Sequence, residues 1–238
     1  MMQTQPRRQE ARDVYVIQGR RITLPAIVRD AKAGNAIFLV PTAAAQALIG
    51  DGFDIVEMSP GQTQLVLGFV DYRDNDLGDY NEGMIVFMVR PAGATGTEGT
   101  FIYKLPVNQS FTCEAGCAIW GFPKTVEQVG IEYGERSATC TLVMDGRHVF
   151  TLTVPRSTEA PAGSDMEMTT YTYLDGPTAV PFTTGGGTVV SGGADGVVLT
   201  LGSHPLAEQL RSLGLPSPAL MSTWMEHMHG TFGAPHKL

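Results

Sequence analysis

Along the chain, apolar residues recur mostly with period two, in short runs closed by Gly, Pro, Asn or Asp, which is the pattern of strands. Such segments are "VYVIQGRRITLPAIV" (14–28), "AIFLV" (36–40), "TQLVLGFVDY" (63–72), "MIVFMVR" (84–90) and "TFIYKLPV" (100–107). "SATCTLVMDGRHVFTLTVP" (137–155) sets Asp145-Gly146 between two apolar runs, a hairpin signal because both residues accept positive φ. "MEMTTYTYLDG" (166–176) alternates, and "GTVVSGGADGVVLTLG" (187–202) reads as a further hairpin around a Gly-rich turn. Roughly nine or ten strands at this short spacing predict a sandwich or barrel. Helical spacing is confined to three stretches: 41–52, with Thr42 as N-cap and Gly50 as stop; 109–121, running into a Gly-Phe-Pro turn; and 204–215, with a glycine exit.

No linker, low-complexity block or solenoid repeat interrupts the pattern, so one domain over 1–238 is expected, mainly β with a few short helices (α+β). Composition agrees: 43% of residues are hydrophobic and only 17% charged, with 28 Gly and 15 Pro, which suits a turn-rich β protein better than a helical bundle. A formal net charge of −8 argues against nucleic acid or an anionic membrane as partner. Apolar runs such as "MIVFMV" are too short to span a bilayer, and "MMQTQPRRQEARD" lacks the apolar core of a signal peptide. The expectation is a soluble, cytoplasmic protein. Cys113, Cys117 and Cys140 form an odd set without disulfide logic, as in a reducing compartment.

Several chemistries can be set aside. "TTGGGTVVSGG" lacks the order of a phosphate loop and is not followed by a helix, so it reads as a β turn. Neither a G-x-S-x-G elbow nor H-E-x-x-H is present. Cys113 and Cys117 lack a second ligand pair, and His227 and His229 in "HMH" lack a third ligand in register, so structural or surface roles are favoured over metal binding.

Lysine carries more information. The chain has four: Lys237 near the end, Lys32 in the polar "RDAKAGN", Lys104 on the expected solvent face of "FIYKLP", and Lys124. Lys124 alone follows a tight apolar turn, "IWGFPK". Burying an ammonium is costly, and the usual relief is loss of its proton, which leaves an amine able to attack a carbonyl. The competing reading is a surface lysine whose stem covers the Trp120 and Phe122 rings. Residue chemistry alone leaves both open and favours the second.

"AIWGFPKT" (118–125) resembles the Gly-Phe-Pro-Lys signature of the acetoacetate decarboxylase superfamily, whose Schiff-base lysine directly follows the proline. "YRDNDLGDYNEG" (72–83) is similar to the family's Leu-Gly-x-Tyr-x-Glu segment, and by that match Glu82 is the active-site glutamate with Tyr80 beside it. The tail "HPLAEQLRSLGLPSPALMSTWMEHMHGTFG" also looks like members of this group. The resemblance implies an antiparallel, cone-like β-barrel whose interior is the pocket, an oligomeric assembly, a small keto acid as substrate, and no metal or organic cofactor. Lys124 would condense with a ketone, Glu82 would move protons or orient the substrate, and Tyr80, Trp120, Phe122 and Thr125 would line the pocket.

Three departures bear on the reaction. Thr125 replaces a second lysine that lowers the pKa of the first in the decarboxylases. Gly116-Cys117-Ala118 replaces Gly-Arg-Glu, and the pocket's N-terminal arginine has no counterpart near "AKAGN" (31–35). Any depression of the Lys124 pKa must then come mainly from desolvation. The leading expectation is a lyase that decarboxylates a small β-keto acid through a Lys124 imine. The alternative is aldol condensation and dehydration of pyruvate-like acids with aldehydes, and a third reading is a ligand-binding barrel without catalysis.

Overall fold

The computed structural model describes residues 13–159, 161 and 163–238; all of the polar N-terminal stretch except Asp13 lies outside the described residues. Of the described residues 58% are strand and 12% helix, the mainly β class expected from the period-two pattern. Seven strands close into a barrel in the order Ala26–Pro41, Gln62–Asn75, Tyr80–Pro91, Gly99–Val107, Met166–Tyr173, Pro177–Gly185 and Met221–Phe232, the last pairing back to the first. All neighbours in this ring are antiparallel except Gly99–Val107 and Met166–Tyr173, which run parallel. A separate four-stranded sheet, Gln128–Tyr133, Ser137–Met144, Arg147–Pro155 and Val198–Leu201, packs against the barrel. Helices α1 (Thr42–Ile49), α2 (Ser110–Trp120) and α3 (Pro205–Ser212) fill the gaps. None of the helices among the described residues is long and apolar enough to cross a membrane.

Two hydrophobic clusters form. One joins Phe38, Leu65, Leu67 and Phe87 of the barrel to Cys140, Leu142, Phe150 and Leu152 of the second sheet and to Leu206 and Leu210 of α3. The other gathers Ala31, Ala33, Val70, Tyr72, Tyr80, Leu105 and Val180 under α2 and a hairpin, Val14–Ile17 with Arg20–Thr23. Burying each such aliphatic or aromatic side chain contributes about 1.5–3 kcal/mol.

Most segments fold as their pattern predicts. Asp145 and Gly146 take φ of 49° and 69°, the two positive values that a tight hairpin turn requires. Two expectations fail. Thr188–Gly192 and Val198–Leu201 do not pair with each other: the first joins Met221–Phe232 and the second joins Arg147–Pro155. Each thereby satisfies the backbone groups of a longer strand that would otherwise present an open edge. Thr42 is not an N-cap: the preceding strand runs on to Pro41, which holds the cap position in extended geometry. The Thr42 hydroxyl is buried without a partner.

Candidate active site

Helix α2 is capped by Gln109, whose side-chain oxygen accepts from the Thr112 amide at 2.7 Å. It stops at Gly121, in the left-handed region with φ +68°; a Cβ there would lie 2.4 Å from the Tyr173 carbonyl oxygen, so both conformation and space require glycine. The chain reverses through Phe122 and Pro123 into a short strand, Lys124–Val126, which pairs in parallel with Leu105–Val107. Strand alternation then separates neighbours. Lys124 faces inward, its side chain 3% exposed, while Thr125 faces solvent.

The lysine stem lies on α2 at Gly116, where a Cβ would sit 2.6 Å from Lys124 Cδ. Its ammonium meets three oxygens: Glu82 Oε2 at 2.8 Å, Thr112 Oγ1 at 3.1 Å and Tyr80 OH at 3.4 Å. Glu82 and Tyr80 come from the start of the Tyr80–Pro91 strand, opposite Val70 and Tyr72. The Tyr72 and Tyr80 rings stack at 4.5 Å, and the Tyr72 hydroxyl donates to Glu82 Oε1 at 3.4 Å. Trp120 stacks on Phe122 at 5.6 Å and donates through Nε1 to the Gly233 carbonyl at 2.8 Å.

These groups enclose a cavity of about 40 Å³ lined by Tyr72, Tyr80, Glu82, Trp120, Phe122 and Lys124, with Leu77, Ile102, Leu105 and Phe232 completing its walls. That is space for two or three waters. An open groove of about 560 Å³ along Glu167, Thr169, Pro181, Thr183 and Thr231 is larger, but no lysine, cysteine or histidine is among its described lining residues. Of the residues singled out in sequence, Lys124, Glu82, Tyr80, Trp120 and Phe122 meet at the small cavity. Thr125 does not line it, because it points the opposite way from Lys124 along the same strand.

Burial settles the choice between a surface and an inward lysine, but the expected depression of its pKa is not found. Burial does push the ammonium toward neutrality; the adjoining Glu82 carboxylate and then Tyr80 outweigh it, and the pKa lies above the ordinary lysine value. Burial also raises both tyrosines, Tyr72 well above the usual range with the Glu82 charge adding to the effect, and Tyr80 with Lys124 opposing it. The free site therefore holds an ammonium–carboxylate pair.

Lys124 is not the one withdrawn lysine. Lys32, 12% exposed, ion-pairs with Glu226, which also accepts from Trp224 Nε1 at 2.9 Å and lies 3.7 Å from Arg156 Nη2. The three thiols are free, and Cys117 Sγ donates to the carbonyls of Phe122 at 3.3 Å and Lys124 at 3.5 Å, bracing the turn. His227 and His229 each face a single carboxylate, Asp30 and Asp165, both at 3.0 Å. Among the described residues no three His, Cys, Asp or Glu side chains converge as a metal site would need.

Sequence reasoning missed Thr112 and Tyr72. Thr112 lies four residues before Gly116 and eight before Trp120, so helical spacing could have aimed it at the lysine. Ile102, Leu105 and Phe232 are brought in by strands distant in the chain and carry no local signal, whereas Leu77 lies in the turn just before Tyr80, inside the Leu-Gly-x-Tyr-x-Glu segment.

Comparison with known proteins follows the same line. A family model described as acetoacetate decarboxylase (ADC) matches residues 17–185. The acetoacetate decarboxylase of Legionella pneumophila superposes with a TM-score of 0.64 at 18% identity, covering 90% of this chain and 87% of its own. The enduracididine biosynthesis enzyme MppR, solved with HEPES buffer bound, gives 0.62 at 16% identity, covering 91% and 89%. The same enzyme complexed with the condensation product of pyruvate and imidazole 4-carboxaldehyde gives 0.58 at 16%, with 90% of each chain covered. No curated protein matches by sequence. At these identities the superpositions speak to the fold.

Proposed function

The chain belongs to the acetoacetate decarboxylase family, and from that premise we propose that it is a cofactor-independent lyase, folded as one domain, that decarboxylates a small β-keto acid through an imine on Lys124. The observation that carries this reading is the buried Lys124–Glu82 pair, at 2.8 Å, opening onto an apolar cavity.

The pair supports a sequence of proton transfers that draws only water and one proton from solvent. As a ketone enters the low-dielectric cavity, the Lys124 ammonium passes one proton to Glu82 Oε2, leaving a neutral amine and a neutral acid. The amine attacks the carbonyl carbon while the Glu82 acid protonates the carbonyl oxygen, giving a carbinolamine. Glu82 then takes a proton from the attacking nitrogen and returns it to the hydroxyl, which leaves as water, and a protonated imine remains. Cleavage of the bond to the carboxylate releases carbon dioxide and sends its electron pair to the iminium nitrogen. The resulting enamine takes a proton at carbon from solvent, the one proton the reaction consumes, and water hydrolyses the protonated imine to the ketone and the Lys124 ammonium.

The charge balance of the cavity favours decarboxylation over the aldol route. Among its described lining residues Lys124 is the one cation. A substrate carboxylate set among Tyr72, Trp120 and Phe122, with Glu82 close by, lacks a positive partner, and loss of carbon dioxide removes that unfavourable charge. An aldol reaction of a pyruvate-like acid would have to hold the same carboxylate through every step. That second reading keeps the imine and draws on the likeness to MppR, solved with a pyruvate condensation product.

Borohydride trapping tests the proposal. Acetoacetate should give a reduced adduct located on Lys124 by mass spectrometry, together with released carbon dioxide. An adduct with pyruvate and none with acetoacetate moves the assignment to the aldol route; no adduct with either leaves a binding barrel.

A further inference from the structure

We propose that Thr112 is a positioning residue for Lys124, holding the nitrogen in register while Glu82 exchanges its proton; the assignment rests on the imine reading above. The buried face of α2 consists of Phe111, Thr112, Ala115, Gly116, Ile119 and Trp120, and Thr112 is its one hydroxyl, fully buried. Its hydroxyl oxygen accepts from Lys124 Nζ at 3.1 Å.

The number of partners matters. An ammonium has three N–H donors, and Glu82, Thr112 and Tyr80 supply three acceptors. When Glu82 removes one proton, the two remaining N–H groups still have Thr112 and Tyr80. The nitrogen is then tethered at two points, and its lone pair is left along the direction of the lost proton, toward Glu82 and the cavity. Without the Thr112 hydroxyl one N–H loses its buried acceptor and the amine is free to rotate. Gly116, by letting the stem lie flat on the helix, brings Nζ within reach of a side chain only one turn away.

The test uses the full-length protein with Thr112→Val, which keeps the shape and removes the hydroxyl, and Thr112→Ser, which keeps the hydroxyl. With acetoacetate as probe, the first-order rate of trappable imine formation should fall about two- to tenfold in the valine variant, the factor matching one hydrogen bond to the neutral amine. KM should stay within about threefold, since binding of the ketone itself is untouched. The serine variant should recover most of the rate. A second readout needs no turnover: the pH dependence of Lys124 labelling by acetic anhydride, followed by peptide mass spectrometry. Removing an acceptor of the ammonium must move that profile to lower pH in Thr112→Val and leave it in place in Thr112→Ser. A valine variant with an unmoved labelling profile, or a serine variant as slow as valine, overturns the assignment. If the wild type forms no adduct, the imine reading fails, while a labelling shift in Thr112→Val still upholds the contact with Lys124.

Discussion

Replacing Glu82 with glutamine isolates the strongest force at the site. The lysine side chain is 3% exposed and the carboxylate 7%, at 2.8 Å, so the pair is buried and close. Removing one partner of a buried pair leaves an uncompensated charge, at a cost of about 3–5 kcal/mol. Lys124 can relieve that cost by shedding its proton, and the price of doing so is bounded: about 1.4 kcal/mol for each pH unit below the unfolded-chain value of about 10.4. At pH 7 that bound is about 5 kcal/mol, and at pH 9 about 2 kcal/mol. In the wild type the folded lysine lies above its unfolded value, so its contribution is fully present below about pH 10.4 and is lost only as pH rises through the folded value. In Glu82→Gln the folded lysine lies below it, the unfolded chain binds more protons, and stability rises with pH. Urea unfolding should therefore give a wild type nearly flat in this respect between pH 7 and 9. The variant should be less stable by about 3–5 kcal/mol at pH 7, narrowing to about 2 kcal/mol at pH 9. A deficit that stays the same at both pH values would refute the argument that Glu82 holds the charge on Lys124.

Four further outcomes are expected. Lys124→Ala should abolish borohydride trapping and keto-acid turnover while the protein stays folded by circular dichroism; retained turnover would remove the lysine from the chemistry. Gly116→Ala should cut trapping at least about tenfold with little change in melting temperature, because the new Cβ displaces the lysine stem while alanine gains about 1 kcal/mol of helix propensity. Thr125→Lys should leave the pH profile of imine formation unmoved, since that side chain faces solvent, away from Lys124; a shift to lower pH would restore the neighbouring-charge argument. Glu226, though pushed up by burial, is held below the usual carboxylate range by Lys32 and its other partners. It thus contributes stability above about pH 4.3 that is lost as pH falls through its lowered value, and Glu226→Gln should flatten that acid limb in urea titrations.

The mainly β class, the Asp145-Gly146 hairpin and the lysine turn were legible because each depends on residues adjacent in sequence. The sign of the lysine's pKa shift was not. Desolvation is announced by the apolar run around Lys124, whereas the carboxylate that reverses its effect arrives from a strand forty residues earlier, with an acceptor from α2. The same holds for Lys32, which looks like a loop lysine until the last barrel strand brings Glu226 beside it. The hairpin expected at 187–202 failed for a related reason: local alternation reports that a segment is extended, and the partner is set by whichever long strand has an open edge.

The single parallel pairing in the barrel has a topological consequence. Around a closed ring of strands, direction must return to its starting sense, so the number of antiparallel junctions must be even. A ring of seven cannot be wholly antiparallel, and here six reversals and one parallel junction satisfy the parity. A parallel junction cannot be bridged by a tight turn; it demands a long excursion back to the same end of the sheet. That excursion runs from residue 108 to residue 165 and contains α2, the Gly-Phe-Pro turn and Lys124. The odd strand count thus obliges the chain to leave the wall and return to it, and Lys124 rides on the detour.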